Sequence, residues 1–257
     1  MTLRDASSLG SSGTTKIWFD EEIAASYDED SADRFDPATL GPTVDLLAGL
    51  AGRGRALELA VGTGRVALPL AERGVAVSGI ELSPHMLARL RAKPGADRVA
   101  AVEGDMTTTR VEGEFSLVYL VFNTITNLLT QDAQVAAFEN AARHLAPGGC
   151  FAVEVFVPIL RLLPPGVRFH VFAEEPGYHA FDEYDDASTQ LQWSHHLRLR
   201  EDGTYRRFSA PYRYVWPAEL DLMARIAGMR LRERWADWDR SPFTVDSEQH
   251  VSVWEKP

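Results

Sequence analysis

From residue 56 to residue 157 the chain alternates short apolar runs with amphipathic stretches. This alternation constrains the fold more than any other feature. Ala56–Val61, Val75–Ile80, Val99–Val102, Phe115–Val121 and Phe151–Val157 read as strands. Between them, Arg65–Arg73, Ser83 to about Ala92, and Gln131–Leu145 read as helices. Ser83 is a natural helix cap, and Pro84 fits a first turn, where a missing N–H costs nothing. In the last helix, Val135, Phe138, Ala142 and Leu145 recur at three- and four-residue spacing. Gly74 and Pro147-Gly148-Gly149 supply the breaks. Strands joined by such helices form parallel βαβ units with right-handed crossovers.

The flanks differ. Residues 1–15 are rich in Ser, Gly and Thr and read as a disordered leader. Residues 16–50 read as a helical arm or lid, with Trp18, Phe19, Tyr27 and Phe35 as anchors and a helix at Val44–Leu50. Residues 158–180 carry Pro and Gly without a clear period. Gln190–Arg200 alternates, Asp202-Gly203 is a hairpin signal, and Tyr205–Trp216 returns. Residues 158–216 are therefore expected to form an antiparallel β insert, a cap after the fifth strand. A helix at Pro217–Ala227 and an antiparallel pair, Leu231–Trp238 and His250–Trp254, complete the chain. The expected fold is α/β: a doubly wound, Rossmann-like seven-stranded sheet with an antiparallel C-terminal pair. Residues 51–157 and 217–257 form its core.

Composition excludes some classes. Lys and Arg number 26 against 37 Asp and Glu, a net charge of −11. Nucleic acid and anionic membranes would repel such a chain. The single cysteine, Cys150, excludes an intramolecular disulfide and any multi-cysteine metal site. It fits a reducing compartment. With no apolar run of targeting or spanning length, a cytoplasmic location is expected. His195 and His196 are adjacent in a strand and face opposite ways, and no paired-ligand spacing occurs, so no metal site is expected.

The chemistry centres on Glu58-Leu59-Ala60-Val61-Gly62-Thr63-Gly64. A glycine loop after the first strand lets backbone approach a ligand, and ligands bind such sheets at the strands' carboxyl ends. Gly62-x-Gly64-x-x-Ala67, with Glu81 following, also fits a dinucleotide fingerprint. An NAD(P)-dependent oxidoreductase is the competing reading. Against it, Glu58, Glu81 and Asp105 place three carboxylates at three strand ends, which suits a positively charged ligand.

Four segments in order carry a resemblance: Glu58–Gly64, Ile80-Glu81-Leu82-Ser83, Gly104-Asp105-Met106 and Leu145-Ala146-Pro147-Gly148-Gly149. The chain resembles a class I S-adenosylmethionine-dependent methyltransferase of small-molecule type. Its insert is similar in layout to amino-sugar N-methyltransferases and glycine N-methyltransferase. The resemblance implies that Glu58 faces the methionyl end of the cofactor and that Gly62 and Gly64 let the loop pass beneath it. Glu81 would accept both ribose hydroxyls. Leu82 and Met86 would flank the adenine, with Met86 serving equally as core. Asp105 would accept from the adenine amino group, and the Met106 N–H, following Gly104, would donate to the ring. Ala60 stands where the family often has a third glycine. Tyr27 is similar to a capping tyrosine, or else only anchors the arm.

Under this reading the reaction is in-line displacement at a sulfonium methyl, with O or N as nucleophile. A base matters only where the acceptor arrives protonated. Phe122 or Asn123 would line the methyl pocket, with Asn127 on the same rim. The catalytic candidates are Asn123, Tyr27, Glu154 and His195. Contacts to the acceptor are sought among His170, His179, Tyr184, His195, Tyr212 and Arg213. The partner is a small-molecule acceptor, and the chain is expected as a monomer or homodimer. A catalytically silent methyltransferase-like binding module is the third reading.

Overall fold

The computed structural model describes residues 19–257. The leader at 1–15 and the arm through Trp18 lie outside the described residues. Helix α1 (Glu21–Asp30) and α2 (Pro37–Ala51) precede β1 (Arg55–Leu59), α3 (Ala67–Glu72), β2 (Ala76–Glu81), α4 (Pro84–Arg91), β3 (Val99–Glu103) and β4 (Phe115–Leu120). Then come α5 (Gln131–His144) and β5 (Leu145–Phe156). Four cap strands follow: β6 (Phe169–Glu175), β7 (Tyr178–Asp186), β8 (Leu191–Leu199) and β9 (Tyr205–Arg213). Helix α6 (Pro217–Ile226), β10 (Arg230–Trp235) and β11 (Gln249–Glu255) close the chain.

The main sheet has the order β10-β11-β5-β4-β1-β2-β3. The pairings among β1 to β5 are parallel, and β11 runs antiparallel between β5 and β10. Helices cover both faces, so the central strands are apolar almost throughout. Leu46 and Leu47 of α2, Leu70 of α3, and Leu87 and Leu90 of α4 are buried in one core cluster. Phe138 of α5 and Leu220 and Met223 of α6 are buried in the other. Phe138 sets its ring edge-on to Phe151 and Trp254, at centroid distances of 5.0 and 5.2 Å. Strand order reverses between β1 and β4, so the ligand crevice belongs beside their carboxyl ends.

Three expectations change. The helix expected at Val44–Leu50 begins at Pro37, because Asp36 caps it through the Ala38 N–H and Pro37 opens its first turn. The fifth strand begins at Leu145, not Phe151: Pro147-Gly148-Gly149 forms an irregularity within it, Gly148 having φ +77°. The aperiodic stretch 158–180 contains β6 and the start of β7, joined at Pro176-Gly177, where Gly177 has φ +80°. The cap is thus a four-stranded antiparallel sheet, β6-β7-β8-β9.

Candidate active site

The loop after β1 is shaped by three left-handed residues, Ala60 (φ +55°), Gly62 (φ +56°) and Gly64 (φ +83°). Glu81, at the end of β2, clasps this loop. One carboxylate oxygen accepts from the Gly62 N–H at 2.9 Å and the other from the Ser83 N–H at 2.8 Å. Burial pushes the Glu81 pKa up, and the Ser83 and Gly62 amides oppose the shift. The Leu82 amide also bonds this carboxylate, which keeps acceptor capacity for a neighbouring hydroxyl. Glu58 is buried in β1 and accepts from the Tyr119 hydroxyl at 2.9 Å. Burial raises its pKa to about 8, against the pull of Tyr119 and Arg65, so it is protonated at neutral pH.

Met86 is buried in α4, its Cε 3.5 Å from where a Cβ on Gly62 would stand, so it props the loop from below. Leu82 is half-buried beside it. At the end of β3, the Gly104 N–H donates to the Glu81 carbonyl at 2.8 Å. A side chain at Gly104 would strike Thr109, which folds back over it. Asp105 accepts from the backbone N–H and the hydroxyl of Thr107, at 2.8 and 2.6 Å. The Met106 carbonyl accepts from the Asn140 amide at 2.9 Å.

The loop after β4 carries two consecutive left-handed residues, Phe122 (φ +54°) and Asn123 (φ +59°). Non-glycine residues in that region cost about 1–2 kcal/mol each. Glu154 holds them: its carboxylate accepts from the Phe122 N–H at 2.6 Å and its carbonyl from the Asn123 N–H at 3.1 Å. The Asn123 side chain accepts from the Phe156 N–H at 3.2 Å. Asn123 and Glu154, two catalytic candidates, are therefore engaged with backbone. The Arg34 guanidinium stacks 3.8 Å above the Phe122 ring, and Arg65 stands 5.6 Å from it.

Helix α1 bridges the core and the four-stranded sheet. On the core side, the Asp28 carboxylate accepts from Thr63 Oγ1 at 2.6 Å and pairs with Lys93 at 2.5 Å. Ser83 donates to the Phe19 carbonyl at 2.6 Å. On the cap side, Asp30 pairs with Arg198 and Arg206 at 3.4 and 3.3 Å, and Glu22 with Arg206 and Arg200 at 3.6 and 3.8 Å. Tyr27 sits between, edge-on to Phe19 at 6.0 Å. Burial raises its pKa, Arg65 and Arg34 oppose the rise, and Glu81 adds to it, so its hydroxyl lies in the field of the β1–β2 loops.

The cap divides its candidates between two faces. Asp182, Tyr184, Ser194 and Tyr212 share the face that carries Arg198 and Arg206, which grip α1. Tyr212 feels both Asp182 and Tyr27. His170 lies directly opposite Asp182 on β6, and His179 tilts against Tyr205. His195 is on the other face, buried, 2.8 Å from Ser209 Oγ and 3.7 Å from Glu183. Arg213 turns away from the acceptor side: it pairs with Glu219 at 2.7 Å and bonds Gln134 and Gln190, fastening the cap to α5 and α6. Arg34, Arg65 and Asp182 were not singled out in the sequence. Only Arg65, next to Gly64, stood near a signal.

A methyltransferase domain model matches residues 56–149. The structure of the CcbJ methyltransferase from Streptomyces caelestis superposes with a TM-score of 0.83 and 38% identity, covering 93% of this chain and 98% of that one. The cypemycin N-terminal methyltransferase of a Streptomyces species is 27% identical over 240 residues, 90% of this chain and 97% of its own. A dTDP-3-amino-3,6-dideoxy-alpha-D-glucopyranose N,N-dimethyltransferase of Streptomyces fradiae is 38% identical over 98 residues, 38% of each chain. Nothing supports the nicotinamide reading or the silent-module reading. With acids at the ends of β1, β2 and β3 and the glycine loop clasped by Glu81, the chain belongs to the class I S-adenosylmethionine-dependent methyltransferases.

Proposed function

We propose that the protein methylates an amine nitrogen on a small molecule held between the cap and the carboxyl ends of β1 to β4. The carrying observation is that α1 is bonded to the core and to the cap at once, with Tyr27 between. A closed lid suits a small acceptor and excludes water, which would otherwise compete for the methyl group. The amine class draws support from the names of the N-terminal and N,N-dimethyl relatives.

The residues fit the cofactor. Glu81 accepts from the ribose hydroxyls, and Asp105 and the Met106 N–H take the adenine. Glu58 and the loop through Gly62 and Gly64 take the methionyl end, and Phe122, fixed by Glu154, walls the methyl. When bound, S-adenosylmethionine supplies a methyl group on a cationic sulfur that is already a good leaving group. The chain's task is then alignment: the acceptor nitrogen must be held at about 3–3.5 Å and in line.

The test is a methyl-label assay with S-adenosylmethionine and a panel of small amines, phenols and alcohols. Label is expected in amines. Label confined to the phenols and alcohols would overturn the reading.

A further inference from the structure

The cap face that meets α1 carries a directed hydrogen-bond chain. Tyr178 on β7 shares its hydroxyl with His196 Nδ1 at 2.8 Å. His196 Nε2 lies 3.3 Å from Ser194 Oγ, and Ser194 donates to the Asp182 carboxylate. Strand register aligns these groups, with Asp182 opposite Ser194 and Ala180 opposite His196. Rings of Phe172, Tyr178 and Phe208 surround His196 at 5.6, 6.1 and 5.8 Å. Burial, reinforced by Arg198, lowers the His196 pKa to about 4, so the ring is neutral at pH 7. With Nδ1 accepting from Tyr178, Nε2 carries the proton and gives it to Ser194. Every donor in the chain then runs toward Asp182.

Among the described residues, no cation pairs with Asp182. Burial pushes its pKa up to about 6, and Ser194 is the group that opposes the shift. A half-buried, desolvated carboxylate without a counter-charge is costly unless something supplies one. Tyr184 and Tyr212 stand within the field of its charge, Tyr212 also feels Tyr27, and Tyr27 feels Glu81. Asp182 thus lies at one end of a line of groups whose other end is the cofactor loop. The tyrosine rings offer further attraction to a cation.

We propose that Asp182 anchors the acceptor's ammonium group, takes up the proton that the nitrogen must lose before it attacks the methyl, and so sets the preference for amines, with Ser194, His196 and Tyr178 as residues that position it. This rests on the amine-acceptor reading above. A hydroxyl acceptor of the same shape would leave the carboxylate unanswered, so the site discriminates by charge.

The experiment loads the protein with S-adenosylhomocysteine and titrates it with benzylammonium and with benzyl alcohol, which is uncharged and of the same shape. The wild type is expected to bind benzylammonium about tenfold or more tightly than the alcohol. Asp182→Asn keeps the shape and is expected to bind both alike, with unchanged affinity for S-adenosylhomocysteine. Benzylammonium affinity should fall as pH drops through about 6, where Asp182 gains its proton. His170 from β6, Tyr178 and Tyr184 from β7, His196 and Arg198 from β8 and Tyr212 from β9 share the face of this carboxylate, and Tyr27 of α1 stands near Tyr212. The midpoint is therefore assigned by its loss in Asp182→Asn. Ser194→Ala should move it upward, because it removes the bond that favours the charged form; a merely structural role would not. No benzylammonium binding, equal affinity for the two probes, or a preference that survives Asp182→Asn overturns the proposal. Failure of S-adenosylhomocysteine itself to bind strikes the methyltransferase reading instead.

Discussion

At the scale of single residues, Glu58 is the clearest case of environment deciding charge. Its carboxyl is buried, and its pKa is raised from 4.5 to about 8. The folded state therefore keeps this proton to a higher pH than the unfolded state does. Fewer protons bound when unfolded means that stability from this group falls as pH rises between about 4.5 and 8. A ligand ammonium placed beside it would favour the charged form. We predict that S-adenosylhomocysteine binding at pH 7 releases protons, seen as a dependence of calorimetric enthalpy on buffer ionisation. Glu58→Gln should bind without that dependence; a wild type showing none would refute the placement. Gly64 makes a second case. Its φ of +83° disfavours any side chain, and a Cβ there would stand 3.0 Å from Leu90 and 3.1 Å from Leu68. Gly64→Ala should cost about 2–4 kcal/mol in urea unfolding, from left-handed strain plus overpacking.

At the scale of elements, α1 is held to the cap by ion pairs among partly exposed side chains. Such pairs are weak singly and screened by salt. Asp30→Asn should speed amide exchange in residues 21–30 at low salt, and the gap from wild type should close in about 1 M salt. Arg213 fastens the other end of the cap from a buried position. Arg213→Leu leaves Glu219 without its guanidinium and should cost about 3–5 kcal/mol of unfolding free energy. Much at this scale was legible. Ser83 caps α4 through the Met86 N–H, and Asp202-Gly203 turns the β8–β9 hairpin, with Gly203 at φ +81°. What escaped did so for physical reasons. Pro42 lies inside α2 and masked a helix that Asp36-Pro37 starts. The β6 strand carries Phe169, Val171 and Phe172 with exposed side chains, so it lacks the alternation that a half-buried strand displays.

At the scale of the whole molecule, the ordered motifs fixed the α/β core, because each is a local backbone requirement repeated at a strand end. The acceptor side was not legible in the same way. Asp182, Ser194, His196 and Tyr212 lie on three strands, and only the pairing register brings them to one face. The left-handed turn at Phe122-Asn123 depends likewise on Glu154, a residue 32 positions on from Phe122. The acidic balance of the chain has a local concentration, since Glu58, Glu81 and Asp105 stand at the ends of β1, β2 and β3. The cofactor site is the central claim, and calorimetric titration with S-adenosylhomocysteine tests it most directly. Wild type should bind one equivalent, and Glu81→Ala, which releases both Gly62 and Ser83, should weaken binding by about tenfold or more. Absence of binding in wild type, or wild-type affinity in Glu81→Ala, would contradict the account.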